Sequence, residues 1–340
     1  MTSTTAYLKS PWQTKLRTIS LPAQPRAGWV RLRVDACGLC GTDVTSAITA
    51  KDWQPFGHEI AGTIIDLGEN VDAKRLPAGT TVVVESASAC GWCDVCRDAH
   101  PDLCRSGAPS IWGEPALGFS TIIDVPTCAC VPYAGLAPEV ASLTEPAGVA
   151  YDMVATADIR LGDRVCVVGP GPIALVAIAL AFRRGASDVV CIGPRHAKAR
   201  LALARDLGAS IRFSDDAPAL AALAKRFDRV LMTAPTEAIA PALAYLAYGG
   251  ILTYIGIGTS DPTIAFDAND FHFRKLQLRA SFASPAMYFP AVLRLLAAGA
   301  IPGEALISHT FPLDRIADAL ATARDDKANA IKIIVSRSGE

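Results

Sequence analysis

The chain has 340 residues, of which 51% are hydrophobic and 19% charged, so its length suggests about two domains with large apolar cores. The formal net charge is −1, which argues against the basic surface that nucleic acids or anionic membranes attract, and we expect neither as a partner. The first residues lack the apolar core of a signal peptide, and the longest apolar stretch, 173–182, is too short to span a bilayer. These features predict a cytoplasmic protein.

Residues 1–148 contain short strand-like runs that glycine and proline separate, a pattern typical of a small β-barrel-like domain. The predicted strands are 30–35, 60–67, 81–85 and 120–125. The first of them, VRLRVD, alternates apolar and polar residues, as a half-buried strand does.

Beyond residue 148, strand-like runs alternate with helical runs. The predicted strands are 164–168, 189–192, 211–213, 229–232, 251–255 and 276–282. The predicted helices are 173–184, 196–207, 217–226 and 237–248, the last stopped by Gly249 and Gly250. Because this alternation requires parallel βαβ crossovers, it predicts an α/β fold with a doubly wound parallel sheet. From residue 285 onward, a helix at 287–298, a β stretch at 307–311, another helix and a strand at 331–335 fit either domain.

A glycine-rich turn, GPGPIA, joins the predicted strand 164–168 to the helix that follows. The first glycine permits a tight turn, the second lets a pyrophosphate approach the backbone, and the small Ala174 lets helix and strand pack closely. The helix N-terminus attracts phosphates. A lone turn of this kind is weak evidence, but the flanking βαβ units favour a dinucleotide site. Its predicted residues are Gly169, Gly171, Pro172 and Ile173.

The end of the second predicted strand of such a fold usually carries an acid that binds the ribose 2′-hydroxyl of NAD. This chain has Gly193 at that point, and Arg195 follows. A carboxylate would repel a 2′-phosphate, whereas an arginine can bind one. We therefore predict that Gly193 and Arg195 lie at the ribose site and that NADP is favoured over NAD. The competing interpretation is an ordinary turn with a solvated arginine.

Four of the ten cysteines follow the spacing Cys-x2-Cys-x2-Cys-x7-Cys. They are Cys90, Cys93, Cys96 and Cys104. Four thiolates complete a tetrahedral zinc shell and leave no position for a substrate, so the spacing predicts a structural zinc site. Disulfides are the alternative, and a cytosolic chain argues against them. Four other cysteines are predicted to be small buried hydrophobic residues: Cys128, Cys130, Cys166 and Cys191.

A second set of metal-binding residue types is spread along the first domain. It comprises Cys40 in GLCGTD, His58 and Glu59 in GHE, and Glu145 in TEP. Cysteine, histidine and a carboxylate are plausible zinc ligands, and three protein ligands leave a fourth position open for water or substrate. The residues alone leave three alternatives. Cys37 competes with Cys40, His58 can be an ordinary structural histidine, and Glu145-Pro146 can be a helix-end device.

These motifs, in this order, resemble those of the zinc-containing medium-chain dehydrogenases, in particular the branch that acts on sorbitol, threonine and sugar alcohols. The resemblance covers nearly the whole chain and rests on GLCGTD, GHE, the four-cysteine spacing, TEPAGVAYD and GPGPIA. It implies a GroES-like catalytic zinc domain formed by residues 1–148 and 286–340. The Rossmann dinucleotide-binding domain, 149–285, is inserted between these two segments.

The resemblance also assigns roles to individual residues. It implies that Cys40, rather than Cys37, binds a catalytic zinc together with His58. Family members differ at the third ligand, and we favour Glu145, with Glu59 as the alternate. Asp43 resembles the family residue that contacts a zinc ligand and holds it in orientation. Thr42 is similar to the hydroxyl that takes up the substrate proton, while Thr45 stands near the point where some members continue the relay with a histidine.

The function that follows is a zinc-dependent oxidoreductase with two zinc ions per chain. It would transfer a hydride between an alcohol, polyol or sugar alcohol and NAD(P), with zinc acting as a Lewis acid. A non-catalytic cofactor sensor and a zinc-independent quinone or enone reductase are the alternatives. The aromatic residues that are candidates for lining the substrate pocket are Trp53, Phe56, Trp112 and Phe119. The resemblance suggests a homotetramer or homodimer, with edge pairing through 276–282 or 251–255.

Overall fold

A computed structural model describes residues 1–256 and 262–337, and the chain divides into two compact units. The first unit consists of Met1–Gly148, Ala283–Gly299 and Gly303–Glu340. The second consists of Val149–Phe282 and Ala300–Pro302.

The N-terminal segment of the chain forms mostly strands. Its elements are β1 (Thr2–Lys9), β2 (Gln13–Ser20), β3 (Trp29–Gly38), α1 (Gly41–Thr49), β4 (Gln54–Pro55), β5 (Glu59–Leu67), β6 (Thr81–Val84), α2 (Asp94–Arg97), β7 (Ile122–Pro126), β8 (Cys130–Pro132), α3 (Pro138–Ser142) and α4 (Thr144–Thr156).

The middle of the chain alternates strands and helices. Its elements are β9 (Arg164–Val168), α5 (Pro172–Arg183), β10 (Asp188–Gly193), α6 (Lys198–Asp206), β11 (Ser210–Phe213), α7 (Ala217–Ala221), β12 (Phe227–Met232), α8 (Ile239–Ala242), β13 (Leu246–Tyr254), α9 (Ala268–Phe273) and β14 (Gln277–Ala280). The C-terminal elements are α10 (Phe289–Ala297), α11 (Gly303–Leu306), β15 (Ile307–Phe311), α12 (Ile316–Asp325) and β16 (Lys332–Ser336).

Two sheets build the first unit. One follows the order β15-β16-β3-β5-β6-β8, with β7 paired to β3, and the other is β2-β1-β4. The strand β16 pairs antiparallel with β3, so the C-terminal segment completes the sheet that the N-terminal segment begins. A core of buried aliphatic side chains from β3, β5, β6 and β7 lies against it, together with Ile316 and Leu320 of α12. The hairpin β1–β2 is not apparent in the sequence because its outer strand, β2, is mostly exposed and polar.

The second unit is a six-stranded sheet in which every pairing is parallel. Its strand order is β11-β10-β9-β12-β13-β14, so the order reverses on either side of β9. Helix α5 follows β9 directly, and its residues from Ala174 to Ala181 are all buried. A helix that is apolar on all sides is expected to be buried in this way. The predicted doubly wound parallel sheet is confirmed.

The predicted helix 237–248 is wrong in its second half. A short 3₁₀ turn (Thr236–Ala238), α8 and a second 3₁₀ turn (Leu243–Tyr245) replace it, and β13 begins at Leu246. Pro241 removes a backbone donor from the helical run. The buried Leu246 instead pairs with Phe227 of β12, so the pairing of the sheet outweighs the local helical pattern. Gly249 and Gly250 therefore lie inside a strand rather than at a helix end.

The four cysteines outside the two predicted metal sets differ in exposure. Cys166 and Cys191 are fully buried in β9 and β10, as predicted. Cys130 is half-buried, but Cys128 is exposed, so the prediction of a buried residue is wrong there. Cys128 lies in a 3₁₀ turn between β7 and β8, where its side chain leaves the sheet. Within the described ranges, none of the helices has the length and apolar character needed to cross a membrane.

Candidate zinc and dinucleotide sites

The four cysteines with the regular spacing converge around one point. Their sulfur atoms all lie within 4.8 Å of one another. The Cys90 and Cys96 sulfurs are 4.0 Å apart, and those of Cys93 and Cys104 are 3.9 Å apart. A tetrahedral zinc with Zn–S bonds of about 2.3 Å separates its sulfurs by about 3.8 Å, whereas a disulfide needs about 2.05 Å. The spacing therefore fits a tetrahedral metal.

Backbone amides stabilise the thiolate form of this sulfur cluster. The amides of Cys90 and Gly107 each donate to the Cys104 sulfur at 3.3 Å, and the amide of Cys93 donates to the Cys90 sulfur at 3.4 Å. The hydrogen bond from the Cys90 amide is the main reason that the pKa of Cys104 is lowered to about 6. Because metals bind thiolates, the local backbone is arranged for a metal.

The second set of candidate ligands is gathered from three separate segments of the first unit. Cys40 immediately precedes α1, His58 precedes β5, and Glu145 lies in the first turn of α4. The Cys40 thiol hydrogen-bonds with the His58 ring. His58 Nε2 lies 4.0 Å from Glu145 Oε1. His58 thus lies next to both Cys40 and Glu145, although the three residues are far apart in the sequence.

Asp43 holds two parts of this site in place. Its carboxylate accepts hydrogen bonds from the Cys40 amide at 2.9 Å and the Gly57 amide at 3.2 Å. The same carboxylate lies 4.0 Å from His58 Nδ1. Asp43 is 4% exposed, so it acts on these residues with little screening by water. Its position fits the orienting role that the resemblance implies.

The charge of the site suits a divalent cation. Burial lowers the pKa of His58, but Cys40, Asp43 and Glu145 together raise it to about 10. Burial raises the pKa of Glu145 to about 7. Both shifts have the same cause: several acidic groups lie close together with little access to water. A proton bound by His58 or Glu145 partly relieves the repulsion between these groups. A metal dication supplies more positive charge than that proton, and the donor set therefore fits zinc.

Glu59, the alternate ligand, is engaged elsewhere. Its fully buried carboxylate accepts hydrogen bonds from Lys332 Nζ at 2.6 and 2.8 Å, and the same ammonium donates to the Leu39 carbonyl. Burial lowers the pKa of Lys332, but Glu59 raises it more, so the side chain remains charged. Gly38 is required beside this pair, because a Cβ atom there would lie 2.0 Å from Glu59 Oε2.

Sequence reasoning missed Lys332, although a signal for it exists. A single lysine in the otherwise apolar strand IKIIV, 331–335, indicates a buried charge that requires a partner. The identity of that partner depends on the pairing of β16 with β3, and β3 in turn pairs with β5, which begins at Glu59. The signal therefore points to a buried ion pair without naming its acidic member.

The remaining residues predicted around this site fall into different environments. Cys37 is fully buried, and its thiol donates to the Gly38 carbonyl. Thr42 is exposed in the first turn of α1. The Thr45 hydroxyl donates to the Gly41 carbonyl within the same helix at 3.1 Å, which gives it a local partner.

The four candidate pocket aromatics also separate. Phe56 and Phe119 are buried and pack against each other with ring centroids 4.7 Å apart. Trp53 lies beneath the Lys15 ammonium, 3.6 Å from its ring centroid. Trp112 is 52% exposed, and its ring centroid is 5.5 Å from that of His58. Of the four, Trp112 combines exposure with contact to a candidate ligand.

The glycine-rich turn of the second unit has the geometry of a phosphate-binding turn. Gly169 has a φ of +98°, and a Cβ atom there would lie 2.8 Å from Thr233 Oγ1, so only glycine fits. Gly171 is the N-cap of α5, and space lies open beside it. Pro172 and Ile173 follow in the first turn, whose free backbone donors point toward the helix N-terminus.

The structure gives Gly193 a packing role. It ends β10, and a Cβ atom there would lie 2.7 Å from Pro170 Cγ. An acid at this position is therefore excluded by the proline of the phosphate-binding turn. Arg195, two residues later, is exposed, with Nε 3.0 Å from both carboxylate oxygens of Asp215. The arginine thus forms an exposed ion pair, and the interpretation as an ordinary turn with a solvated arginine stays open beside the ribose site.

Two family models match the chain. The model described as "Alcohol dehydrogenase GroES-like domain" matches residues 26–139, and the one described as "Zinc-binding dehydrogenase" matches residues 172–298. Both descriptions agree with the domain types inferred from the motifs, and together they confirm the GroES-like and Rossmann fold class.

Similar proteins agree with these models. L-arabinitol 4-dehydrogenase of Aureobasidium melanogenum is 30% identical over 329 residues, which cover 90% of this chain and 86% of the relative. L-galactonate-5-dehydrogenase of Escherichia coli (strain K12) is 29% identical and 89% of each chain is covered. Among solved structures, the short chain alcohol dehydrogenase rspB of E. coli CFT073, complexed with the cofactor NADH, has a TM-score of 0.87 at 25% identity and covers 98% of this chain and 99% of its own. The chain therefore belongs to the zinc-dependent medium-chain alcohol dehydrogenase family and is an NAD(P)-dependent oxidoreductase.

Proposed function

We propose that the protein oxidises a polyol, a sugar alcohol or a related hydroxy acid, or reduces the corresponding carbonyl, with two zinc ions per chain. The observation that carries this proposal is the placement of His58 next to Cys40, Glu145 and Asp43. The names of the two relatives described above, an arabinitol and a galactonate dehydrogenase, support a polyhydroxylated substrate.

The two zinc ions have different roles. One would be held by Cys90, Cys93, Cys96 and Cys104 and would stabilise their loop. The other would be held by Cys40, His58 and Glu145 and would polarise the substrate oxygen as a Lewis acid. We favour Glu145 as third ligand because its carboxylate faces His58 Nε2, while Lys332 already compensates Glu59.

The protein's own side chains orient the ligands and move the proton. Asp43 holds the backbone at Cys40 by a hydrogen bond and attracts the His58 ring from 4.0 Å, which favours a constant separation of the two ligands. Thr42, exposed two residues after Cys40, takes up the proton of the substrate hydroxyl. Trp112 covers one side of His58 and would limit the size of the substrate. The dinucleotide, when bound, supplies the hydride acceptor.

We further propose that NADP is favoured over NAD, that the protein is cytoplasmic and that it forms a homodimer or homotetramer. Arg195 at the end of β10 supports the cofactor preference, and the metal-thiolate spacing of the cysteine loop supports a reducing compartment. The strand β14 is an edge of the parallel sheet, next to the exposed Phe282, and supports assembly. Because β13 is interior, the alternative of edge pairing through 251–255 is wrong.

A panel of polyols, sugar alcohols and hydroxy acids, assayed with NADP and with NAD, tests this function. We expect turnover of at least one polyhydroxylated substrate, lost after chelation and restored by zinc, and a higher kcat/KM with NADP. Simple primary alcohols serve as the comparison. A preference for these, or turnover by the metal-free protein, would contradict the proposal, and light scattering gives the oligomeric state.

A further inference from the structure

Arg195, just beyond strand β10, is contacted by two residues at or just beyond the end of the neighbouring strand β11, Phe213 and Asp215. The strand register pairs Gly193 with Phe213, and the Ser214 amide donates to the Gly193 carbonyl at 3.0 Å. Arg195 and Asp215 each lie two positions beyond that pair. The register therefore places a cation and an anion side by side at the sheet edge where a dinucleotide's ribose is expected.

Phe213 and Asp215 contact different parts of the Arg195 guanidinium. Its central carbon lies 4.0 Å from the centroid of the Phe213 ring, so the phenyl group supports one face. Its Nε lies 3.0 Å from both Asp215 carboxylate oxygens. The two terminal amino groups of Arg195 donate to no residue in the described part of the chain, which leaves two donors for an anion. This arrangement suits bidentate binding of a phosphate.

The neighbouring positions explain why the carboxylate comes from the turn after β11 and not from β10. Pro170 of the phosphate-binding turn fills the space beside Gly193, so β10 itself cannot carry an acid at its last residue. Asp215 is 60% exposed in its side chain and lies against Arg195. It therefore supplies a negative charge close to the place where a 2′-phosphate would bind.

We propose that Asp215 limits the preference for NADP by acting through Arg195, and that Phe213 is the residue that positions the guanidinium. The ligand feature being selected is a 2′-phosphorylated adenosine ribose against an unmodified one. This inference rests on the proposed ribose site at Arg195. Asp215 neutralises part of the guanidinium charge and repels a 2′-phosphate, while leaving a 2′-hydroxyl free to bind.

The direction of the effect follows from the two supports of Arg195. If Asp215 loses its charge, Phe213 still holds the guanidinium plane through a cation–π contact. The amide oxygen in D215N can still accept the hydrogen bond from Arg195 Nε. The substitution therefore removes the repulsion of the phosphate more than it disturbs the arginine, and affinity for a 2′-phosphate rises.

Binding of two cofactor fragments to the zinc-loaded protein tests this inference without requiring turnover. The probes are adenosine 2′,5′-bisphosphate and AMP, measured by isothermal titration calorimetry. For D215N we expect the bisphosphate Kd to fall about fivefold at low ionic strength, with the AMP Kd unchanged within about twofold. The gain should shrink in about 0.5 M salt, because screening weakens the repulsion between exposed charges. Asp206→Asn removes an exposed carboxylate of the same unit on α6 and should change neither Kd.

Two further variants separate this inference from the proposed cofactor preference. Arg195→Gln should weaken bisphosphate binding about tenfold, and Phe213→Leu about threefold, both with AMP binding retained. If Arg195→Gln has no effect, the proposed ribose site at Arg195 is wrong and the inference falls with it. If Arg195→Gln weakens binding while D215N leaves the bisphosphate Kd unchanged or raises it, Asp215 does not limit the preference, and only the inference is overturned. The ratio of KM values for NADP and NAD should follow the fragment affinities.

Discussion

The two metal-binding regions of the first unit differ in how the chain builds them. The cysteine loop takes four like donors from 15 consecutive residues, 90–104, and its sulfurs are partly exposed. The catalytic candidate combines sulfur, nitrogen and oxygen donors that lie between residues 40 and 145, with His58 buried, Cys40 half-buried and the Glu145 side chain 15% exposed. A local site can be formed by its own loop, whereas the distributed site requires the whole sheet and α4 to be in place.

This difference has a chemical consequence. Four thiolates satisfy a zinc ion and exclude a substrate, so the cysteine loop contributes stability alone. Three mixed donors leave one position open, and burial removes the water that would screen the metal's charge from a substrate. The chain therefore separates the stabilising metal from the reactive one, and the following predictions test that separation.

Replacing Cys40 should have the largest effect on activity. Cys40→Ser removes a zinc ligand, and the loss of a metal that contributes several kcal/mol predicts a fall in kcat/KM of at least about 1000-fold. The protein should remain folded, because serine is a favourable residue before a helix such as α1. Metal analysis should show one zinc per chain instead of two.

The control for this prediction is Cys37→Ser. Cys37 competes with Cys40 in the sequence, but its thiol donates to the Gly38 carbonyl, a bond that a serine hydroxyl can replace. We expect it to keep two zinc ions and an activity within about tenfold of the unchanged protein. Loss of zinc in the Cys37 variant and its retention in the Cys40 variant would reverse the assignment.

The buried pair of Lys332 and Glu59 sharpens the choice of the third ligand. Lys332→Met leaves the Glu59 carboxylate buried without a partner and should lower the free energy of unfolding by about 3 kcal/mol. Adding Glu59→Gln should restore most of that loss. Urea unfolding of the single and the double variant measures the two changes in the free energy of unfolding. If Glu59 were the zinc ligand, the cation would compensate its charge, and Lys332→Met alone would be nearly neutral in the zinc-loaded protein.

The same contrast between local and distributed features explains what the sequence could predict. The cysteine loop and the glycine-rich turn are each contained in fewer than 20 residues, so their geometry follows from local spacing. Cys40, His58 and Glu145 could be proposed from residue type, but nothing in their spacing shows that they meet. Their convergence depends on the pairing of β3 with β5 and on the placement of α4, which are tertiary properties.

The failures have the same origin. The segment 237–248 has a helical pattern, yet Leu246 joins the sheet because burial against β12 outweighs local propensity. The contact of Gly193 with Pro170 requires a glycine whichever cofactor binds, so the cofactor preference stays a prediction that depends on Arg195. The pairing of Asp215 with Arg195 cannot be predicted from the sequence, because Asp215 follows β11 and only the parallel register of β10 and β11 brings it to Arg195.

Replacing Cys93 should affect stability far more than catalysis. Cys93→Ser removes one of four local donors, so we expect the loop zinc to be lost and the melting temperature to fall by about 5 °C or more. Activity per folded molecule should stay within about threefold, because Cys93 contributes no ligand to the catalytic candidate. Cys128→Ser, an exposed cysteine outside the cluster, is the matched control and should change neither quantity. A Cys93 variant that is stable but inactive would mean that the two regions are not separate.

Replacing Glu85, which follows β6 and precedes the cysteine loop, should have the smallest effect of these substitutions. Unlike the carboxylates of the catalytic candidate it has no cationic partner among the described residues, and burial raises its pKa to about 7 from 4.5. A carboxyl with a raised pKa holds its proton more tightly in the folded than in the unfolded protein. Its contribution to stability is therefore fully present below about pH 4.5 and is lost as the pH rises through 7. Glu85→Gln keeps a hydrogen-bond acceptor for Ser88 and removes this loss, so it should stabilise the protein by about 1–2 kcal/mol at pH 8 and by much less near pH 5. Urea unfolding at both pH values measures the difference, with the exposed Glu69→Gln as a control. An equal effect at both pH values would show that the substitution acts through packing rather than through the proton.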